Sequence, residues 1–214
     1  MYESGLERQG GSFYGESLIL LEAAVTEVTT RIDIIRKFVQ EKGFRDPIEH
    51  IKTRIKSEES MKEKLVRKGF EPTCENAISK VYDAAGVRVV CTFVDDVYKI
   101  AKLLESQQDI KIIEEKDYIS NPKPSGYRSY HLIIAVPIHL PECIKYVNAE
   151  IQIRTIAMDC WASLEHEMRY KKDVPNAEII AGELKRCADE IASTDITLQA
   201  IRDMIDSGGI GGKK

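Results

Sequence analysis

Residues 121–134, NPKPSGYRSYHLII, carry the reading of the fold. The stretch opens on turn chemistry, with Pro122 and Pro124 followed by Ser125-Gly126. It closes on an apolar run, Leu132-Ile133-Ile134-Ala135-Val136. Proline and glycine preset turn dihedrals, and a short branched apolar run bounded by a turn predicts a buried strand. Between the two lie Tyr127, Arg128, Tyr130 and His131, with Lys123 just upstream. Two readings fit equally well. One is a hairpin turn with surface tyrosines, since polar aromatics at strand starts are ordinary. The other is a loop that brings rings to stack on a base and cations to meet phosphate.

More strands flank this one. Residues 86–93, GVRVVCTF, are apolar apart from Arg88, and an arginine in a buried strand needs a partner; Asp83 lies just before it. Residues 110–118, IKIIEEKDY, form a strand ending in charge. In residues 146–154, YVNAEIQIR, alternation sets Glu150, Gln152 and Arg154 on one face and Val147, Ala149, Ile151 and Ile153 on the other. That polar row suits a solvent-facing edge or the floor of a binding cleft.

Helices surround the strands. Apolar steps of three and four from Leu18 to Val39 predict a helix over 16–41, stopped by Gly43. Asp46-Pro47 reads as an N-cap with proline in the first turn, so a second helix is expected over 47–67, ended by Gly69. Residues 76–85 read as a short helix or turn. Asp95-Asp96 starts a helix buried through Val97, Ile100, Ala101 and Leu104. Thr155 caps a helix running to residue 169, with Trp161 adding bulk; Pro175 interrupts, and Asn176 caps a last helix to about residue 206. The glycine-bearing ends, 1–15 and 207–214, read as flexible. The expected class is α+β: a single mixed sheet of four to five strands flanked by helices, in one domain over 16–206.

Bulk composition excludes several functions. Net charge is −4, from 31 Lys+Arg against 35 Asp+Glu, which argues against a duplex-DNA binder while allowing a local basic site. The five cysteines are scattered and odd in number, the pattern of reduced thiols in a cytoplasmic protein. No run approaches membrane-span length and no signal pattern opens the chain, so no membrane partner is expected. His50, His139 and His166 have no partner at metal-ligand spacing, and no G-x-x-x-x-G-K-S/T loop occurs. Trp161, Met168 and Tyr170 read as core or interface.

The remaining polar residues suggest chemistry. On the expected 47–67 helix, Lys56, Ser60 and Lys64 share a face, while Arg54 lies off it and needs a long side chain, or a bend, to join them. Such a stripe lines a polyphosphate or is a solvated helix face. Asp83 and Glu150 are candidates to meet over the sheet and hold Mg²⁺, which takes carboxylate oxygen together with water and substrate phosphate. Glu150 is also a candidate general base for a sugar hydroxyl. The helix cations would then hold one nucleotide, and the loop bearing Lys123, Tyr127, Arg128 and His131 a second.

Four ordered blocks carry a family resemblance: residues 50–65 (HIKTRIKSEESMKEKL), 82–93 (YDAAGVRVVCTF), 121–132 (NPKPSGYRSYHL) and 149–171 (AEIQIRTIAMDCWASLEHEMRYK). Together they resemble the synthetase domain of the RelA/SpoT family, and residues 16–206 resemble its small alarmone synthetases of the RelQ/RelP type. The resemblance implies a nucleotidyltransferase-like fold. It implies transfer of pyrophosphate from ATP to the 3′ hydroxyl of GDP or GTP with Mg²⁺. It matches Arg54, Lys56, Ser60 and Lys64 to ATP binding, and Arg88 to an arginine that packs on adenine. Asp83 and Glu150 match the metal-associated acids, with Glu150 as base. Tyr127 matches the tyrosine that stacks on guanine, and Lys116, Lys123, His131 and Gln152 match acceptor-site positions. Glu114 stands where one family variant has arginine, in Glu114-Glu115-Lys116-Asp117. With no hydrolase block before these motifs and no regulatory block after them, the resemblance implies a synthetase-only enzyme. It further implies a homotetramer built through the terminal helices, and regulation by alarmone or single-stranded RNA. The competing readings are an inactive nucleotide- or RNA-binding oligomer, and a nucleotidyltransferase with an unrelated acceptor.

Overall fold

The computed structural model describes residues 13–169 and 176–208. Its elements are α1 (Ser17–Glu41), β1 (Ile48–Ile55), α2 (Glu58–Arg67), α3 (Cys74–Lys80), β2 (Ala85–Cys91), α4 (Val94–Glu105), β3 (Lys111–Asp117), β4 (Tyr130–His139), β5 (Ile144–Thr155), α5 (Ile156–Arg169) and α6 (Ala177–Gly208). The five strands form one mixed sheet in the order β1-β2-β5-β4-β3, in which only β2 and β5 run parallel. The expected α+β class with a single sheet is therefore what the chain adopts. The expectations for residues 1–12, Tyr170, Pro175 and residues 209–214 fall outside the described residues. Ser207 and Gly208, expected in the tail, continue α6.

Alternation along the strands gives the sheet two unlike faces. Val87, Val89, Leu132, Ile134, Ala149, Ile151 and Ile153 are all at most 1% exposed and join one core cluster. α1 and α4 cover this apolar side, through Leu21, Val25, Val28 and Ile32 on α1 and Val97, Ile100 and Leu104 on α4. Burying a side chain of this size contributes about 1.5–3 kcal/mol, so this layer sets the orientation of the sheet. Arg54, Arg88, Glu150, Gln152, Arg154 and His131 are thereby set on the other face.

One expected element is wrong. Residues 48–55 form strand β1, and helix α2 begins only at Glu58. Asp46-Pro47 opens no helix. The Asp46 carboxylate accepts from the Ile48 amide at 3.0 Å and from the Arg36 guanidinium, so it turns the chain into a strand. The true N-cap is Ser57, whose hydroxyl accepts from the Ser60 amide. β2 is buried at almost every position and would present an open edge without β1 beside it. Pairing along that edge outweighs the modest helical preference of IEHIKTRI, whose Ile48, Ile51, Thr53 and Ile55 are β-branched.

Candidate active site

Strand register brings the polar residues into rows on one face. Lys52 pairs with Arg88, Arg88 with Gln152, Gln152 with His131, and His131 with Lys116, so a single row crosses all five strands. The next row holds Arg54, Gly86 and Glu150. Arg54 lies along Gly86, where a Cβ would stand 3.4 Å from its Cγ. These rows floor an open cleft of about 270 Å³ lined by Lys52, Arg54, Gly86, Arg88, Glu150 and Gln152, among others.

The β1–α2 turn follows directly on the strand that carries Arg54. Lys56 stands in the turn and Lys64 on α2, rather than both on one long helix. Both ammonium groups donate to Asp83 Oδ2, at 3.2 and 2.6 Å. Ser60 lies in the first turn of α2, exposed, with its hydroxyl bonded to that of Ser57 at 3.0 Å. Of the expected stripe, Lys56 and Lys64 meet at Asp83, Ser60 lies one turn before Lys64 on α2, and Arg54 reaches the cleft from the sheet, with no bend in a helix. Burial works against charge on Asp83, but the Lys64 hydrogen bond and the charge of Lys56 outweigh it and hold this carboxyl below the usual range. Asp83 Oδ1 is buried without a hydrogen-bond partner among the described residues, as is Arg88 Nε. Both leave directed polar capacity beside the cleft.

Hydrogen bonds close a ring around Glu150. Arg154 Nη2 donates to the Tyr127 hydroxyl at 2.6 Å and to Gln152 Oε1 at 3.0 Å. Gln152 Nε2 donates to Glu150 Oε2 at 2.8 Å. The Tyr127 hydroxyl meets His131 Nε2 at 2.8 Å, and His131 Nδ1 meets Glu150 Oε1 at 3.2 Å. One assignment satisfies every group: His131 is neutral with its proton on Nδ1, Tyr127 donates to Nε2, and two arms of donors run from Arg154 to Glu150. Burial lowers the His131 pKa, although Glu150 pulls the other way, which agrees with the neutral ring. Burial likewise opposes charge on Glu150, yet the hydrogen bonds from His131 and Gln152 hold its pKa well below the carboxylate norm. Glu150 is thus an ionised acceptor fixed in orientation.

Residues 118–129 join β3 to β4, so the opening stretch is a hairpin connection and a site loop at once. The Gly126 amide donates to the Lys123 carbonyl at 2.8 Å, and Gly126 has φ +89°. Lys123 Nζ sits 4.8 Å from the Tyr127 ring centroid and 4.6 Å from that of Tyr118. Lys116 pairs with Glu114 at 2.7 Å on the exposed edge strand. Arg128 does not face the cleft. It donates to the carbonyls of Gly126 and Ala188 and pairs with Asp189, which fastens the loop to α6. Trp161 and Ala188 are buried beside it with Tyr127 packed against them, so Trp161 is core as expected, while Met168 is 44% exposed.

The model described as "Region found in RelA / SpoT proteins" matches residues 53–174. The chain belongs to the RelA/SpoT family. It is 43% identical to the GTP pyrophosphokinase YwaC of Bacillus subtilis over 191 residues, covering 88% of this chain and 90% of that protein. Its structure matches a GTP pyrophosphokinase family protein from Streptococcus pneumoniae with TM-score 0.81 and 36% identity, covering 94% and 98% of the two chains. It also matches small alarmone synthetase 1 of Bacillus subtilis, bound there to its product pppGpp, with TM-score 0.80 and 33% identity over 88% and 96%.

Within this RelA/SpoT site, the sequence reading assigns no role to Arg154, Asp159 or Lys52. Arg154 shows in the alternation of β5 as the third member of the polar row, but its link to Tyr127 spans 27 positions. Asp159 lies one helical turn beyond Thr155 and gives no sequence sign that it faces two arginines. Lys52 lies in the segment whose sequence predicts a helix, where nothing sets it beside Arg88. For a metal, the donor types fit Mg²⁺: two carboxylates, one with an unpartnered buried oxygen and the other lining a cleft that also holds Lys52, Arg54 and Arg88. Among the described residues no group of three or more His, Cys, Asp or Glu could cage an ion without substrate.

Proposed function

We propose that this protein transfers the β,γ-pyrophosphate of ATP to the 3′ hydroxyl of GDP or GTP, making guanosine tetra- and pentaphosphate alarmones and releasing AMP. The observation that carries this reading is the ring that fixes Glu150 between the cationic cleft and the Tyr127 loop. The naming of YwaC as a GTP pyrophosphokinase and the product-bound relative support it. ATP lies against Arg54 and Arg88 with its phosphates toward Lys56, Ser60 and Lys64. The acceptor stacks its guanine on Tyr127, with Lys123, Lys116, His131 and Gln152 around it. Glu150 takes the proton of the 3′ hydroxyl. A bond forms from that oxygen to the β-phosphorus as the bond from β-phosphorus to the α,β-bridging oxygen breaks, and AMP leaves. Asp83 and Glu150 would hold Mg²⁺, which when bound offsets the phosphate charge. An anion binder without activity gains nothing from two acids set among its cations, so the buried Asp83 and Glu150 favour the enzyme.

The deciding experiment supplies γ-labelled ATP, GDP or GTP, and Mg²⁺. Labelled guanosine alarmone together with AMP is expected. A folded protein that forms neither, or that releases free pyrophosphate, overturns the reading. Glu150→Gln is expected to abolish turnover while nucleotide binding persists, and turnover at the original rate would remove Glu150 as base. Omitting Mg²⁺ should stop product formation.

Exposed apolar residues on the terminal helices, Ile34 and Phe38 on α1 and Ile201, Met204 and Ile205 on α6, support assembly into a homotetramer. The family resemblance alone supports regulation by alarmone or single-stranded RNA, tested by adding each to the assay. A cytoplasmic location is supported by Cys74, Cys91, Cys143, Cys160 and Cys187, all free thiols. No described helix is long and apolar enough to cross a membrane.

A further inference from the structure

Asp159 stands in the first turn of α5 and is 6% exposed. Its Oδ1 lies 3.1 Å from Arg88 Nη1 and 3.1 Å from Arg154 Nη1. One carboxylate oxygen thus bridges two guanidiniums from neighbouring parallel strands. Arg88 lines the cleft assigned to the donor nucleotide, and Arg154 holds the hydroxyl of Tyr127 in the loop assigned to the acceptor. We propose that Asp159 is a positioning residue that couples the two nucleotide subsites through the chain Arg88–Asp159–Arg154–Tyr127. This rests on the pyrophosphoryl-transfer reading and deepens it.

The physical argument begins with repulsion. Arg88 and Arg154 each carry a positive charge in a partly water-excluded site, and without an anion between them they turn apart. Burial lowers the Arg88 pKa and the Arg154 charge lowers it further, while Asp159 acts in the opposite sense. Asp159 therefore fixes where the Arg88 guanidinium points relative to that of Arg154. Arg88 Nε is buried with no partner among the described residues, so the Arg88 side chain is held ready for a group from the cleft. A donor nucleotide that packs on Arg88 fixes that end of the chain. The shared oxygen then holds Arg154 and, through it, the Tyr127 hydroxyl, so the acceptor has less ordering left to do. Coupling of binding is reciprocal, so the acceptor must favour the donor by the same factor. Ser129, Gln152 and Tyr127 also receive hydrogen bonds from Arg154, so its guanidinium stays on the acceptor side without Asp159. What Asp159 adds is the tie to Arg88.

The test uses the full chain and a non-hydrolysable ATP analogue, with affinity measured by calorimetry in the absence and presence of saturating GDP. In the original protein GDP should tighten analogue binding by about fivefold or more, within the usual range for coupled sites. In Asp159→Asn, which keeps the volume and removes the charge, each nucleotide still binds but the enhancement falls to near one. The KM of both substrates should rise more than kcat falls. No enhancement in the original protein, or an undiminished one in folded Asp159→Asn, overturns the proposal. Should Asp159→Asn fail to fold, the double variant Asp159→Asn with Arg154→Gln removes one charge of each sign, and the same loss of enhancement is expected. Retained enhancement there overturns the proposal equally. Alarmone formation by the original protein is measured in parallel. Its absence refutes the function, whereas product formation with unaltered coupling refutes only the role of Asp159.

Discussion

The Tyr127 hydroxyl accepts from Arg154 and faces His131 Nε2, so the phenol is gripped by its oxygen while Lys123 covers the ring. Under the proposed function, a guanine stacked on Tyr127 would take the place of that ammonium group and free it to meet phosphate. The hydroxyl and the ring therefore have separable duties. Tyr127→Phe keeps the stacking surface but leaves His131 Nε2 without its donor, a buried loss of about 1–3 kcal/mol. Steady-state kinetics should show kcat lower by about tenfold, as the His131–Glu150 alignment loosens, with acceptor KM raised by no more than the roughly fivefold that coupling through Arg154 supplies. Tyr127→Ala should instead raise acceptor KM by roughly ten- to a hundredfold, since stacking of a base on a ring contributes about 1–3 kcal/mol. Equal effects of the two variants would contradict this division. Gly126 is constrained twice over, by φ +89° and by a Cβ position 2.6 Å from the Ala188 Cβ. Gly126→Ala should lower stability by about 1–3 kcal/mol and raise acceptor KM. Adding Ala188→Gly should restore only part of the loss, because it relieves the contact and leaves the dihedral strained. Thermal melting and acceptor titration read both effects.

At the scale of elements, α6 is the brace of the site. It receives Arg128 at Ala188 and Asp189, and its Leu184 carbonyl accepts from Trp161 Nε1 at 3.0 Å. Further along, Asp195 Oδ2 accepts from the Thr155 hydroxyl at 2.5 Å, and that hydroxyl accepts from the Met158 amide at the start of α5. Asp195 is 3% exposed, and burial pushes its pKa up even though the Thr155 hydrogen bond pulls it down. The sign follows from linkage: a raised folded pKa gives stability that is fully present below the unfolded value, near 3.8, and lost as pH rises through the folded value. Asp195→Asn carries no charge to desolvate and can still accept from Thr155. Its melting temperature relative to the original protein should therefore climb as pH rises through that range and then level off. A difference that stays flat with pH would mean that Asp195 carries no burial penalty. The strand β1 teaches the opposite lesson. The segment around it holds Lys52 and Lys56 at helical spacing and Pro47 at a plausible helix start, and only the open edge of β2 reveals that residues 48–55 pair as a strand.

At the scale of the molecule, the sheet divides labour between its faces. The apolar face seats α1 and α4, and the polar face is left as the floor of the cleft. The outer sides of α1 and α6 expose Ile34, Phe38, Ile201, Met204 and Ile205, each at least 47% exposed. Light scattering at micromolar concentration should give a mass well above the 24.2 kDa of one chain. Ile201→Asp together with Met204→Asp, on the exposed face of α6, should shift the mass toward a single chain. A monomeric original protein would contradict assembly through these helices.

Much of this protein is legible from its residues. Period-two alternation in β5 exposes the row of Glu150, Gln152 and Arg154, the buried run of β4 shows where the loop must end, and the apolar steps of α1 and α4 show their covered sides. These are local signals, repeated within a few residues, and packing reinforces them. What tertiary structure alone decides is everything that depends on a partner distant in the chain. β1 is a strand because β2 needs an edge partner. Arg54 enters the cleft because it sits opposite Gly86. Arg128 turns to α6 instead of the cleft because Gly126 lies against Ala188. Asp159 and Arg154 join the site because two parallel strands set two guanidiniums side by side, and a buried charge pair of that kind is specified by geometry that no single stretch of sequence contains.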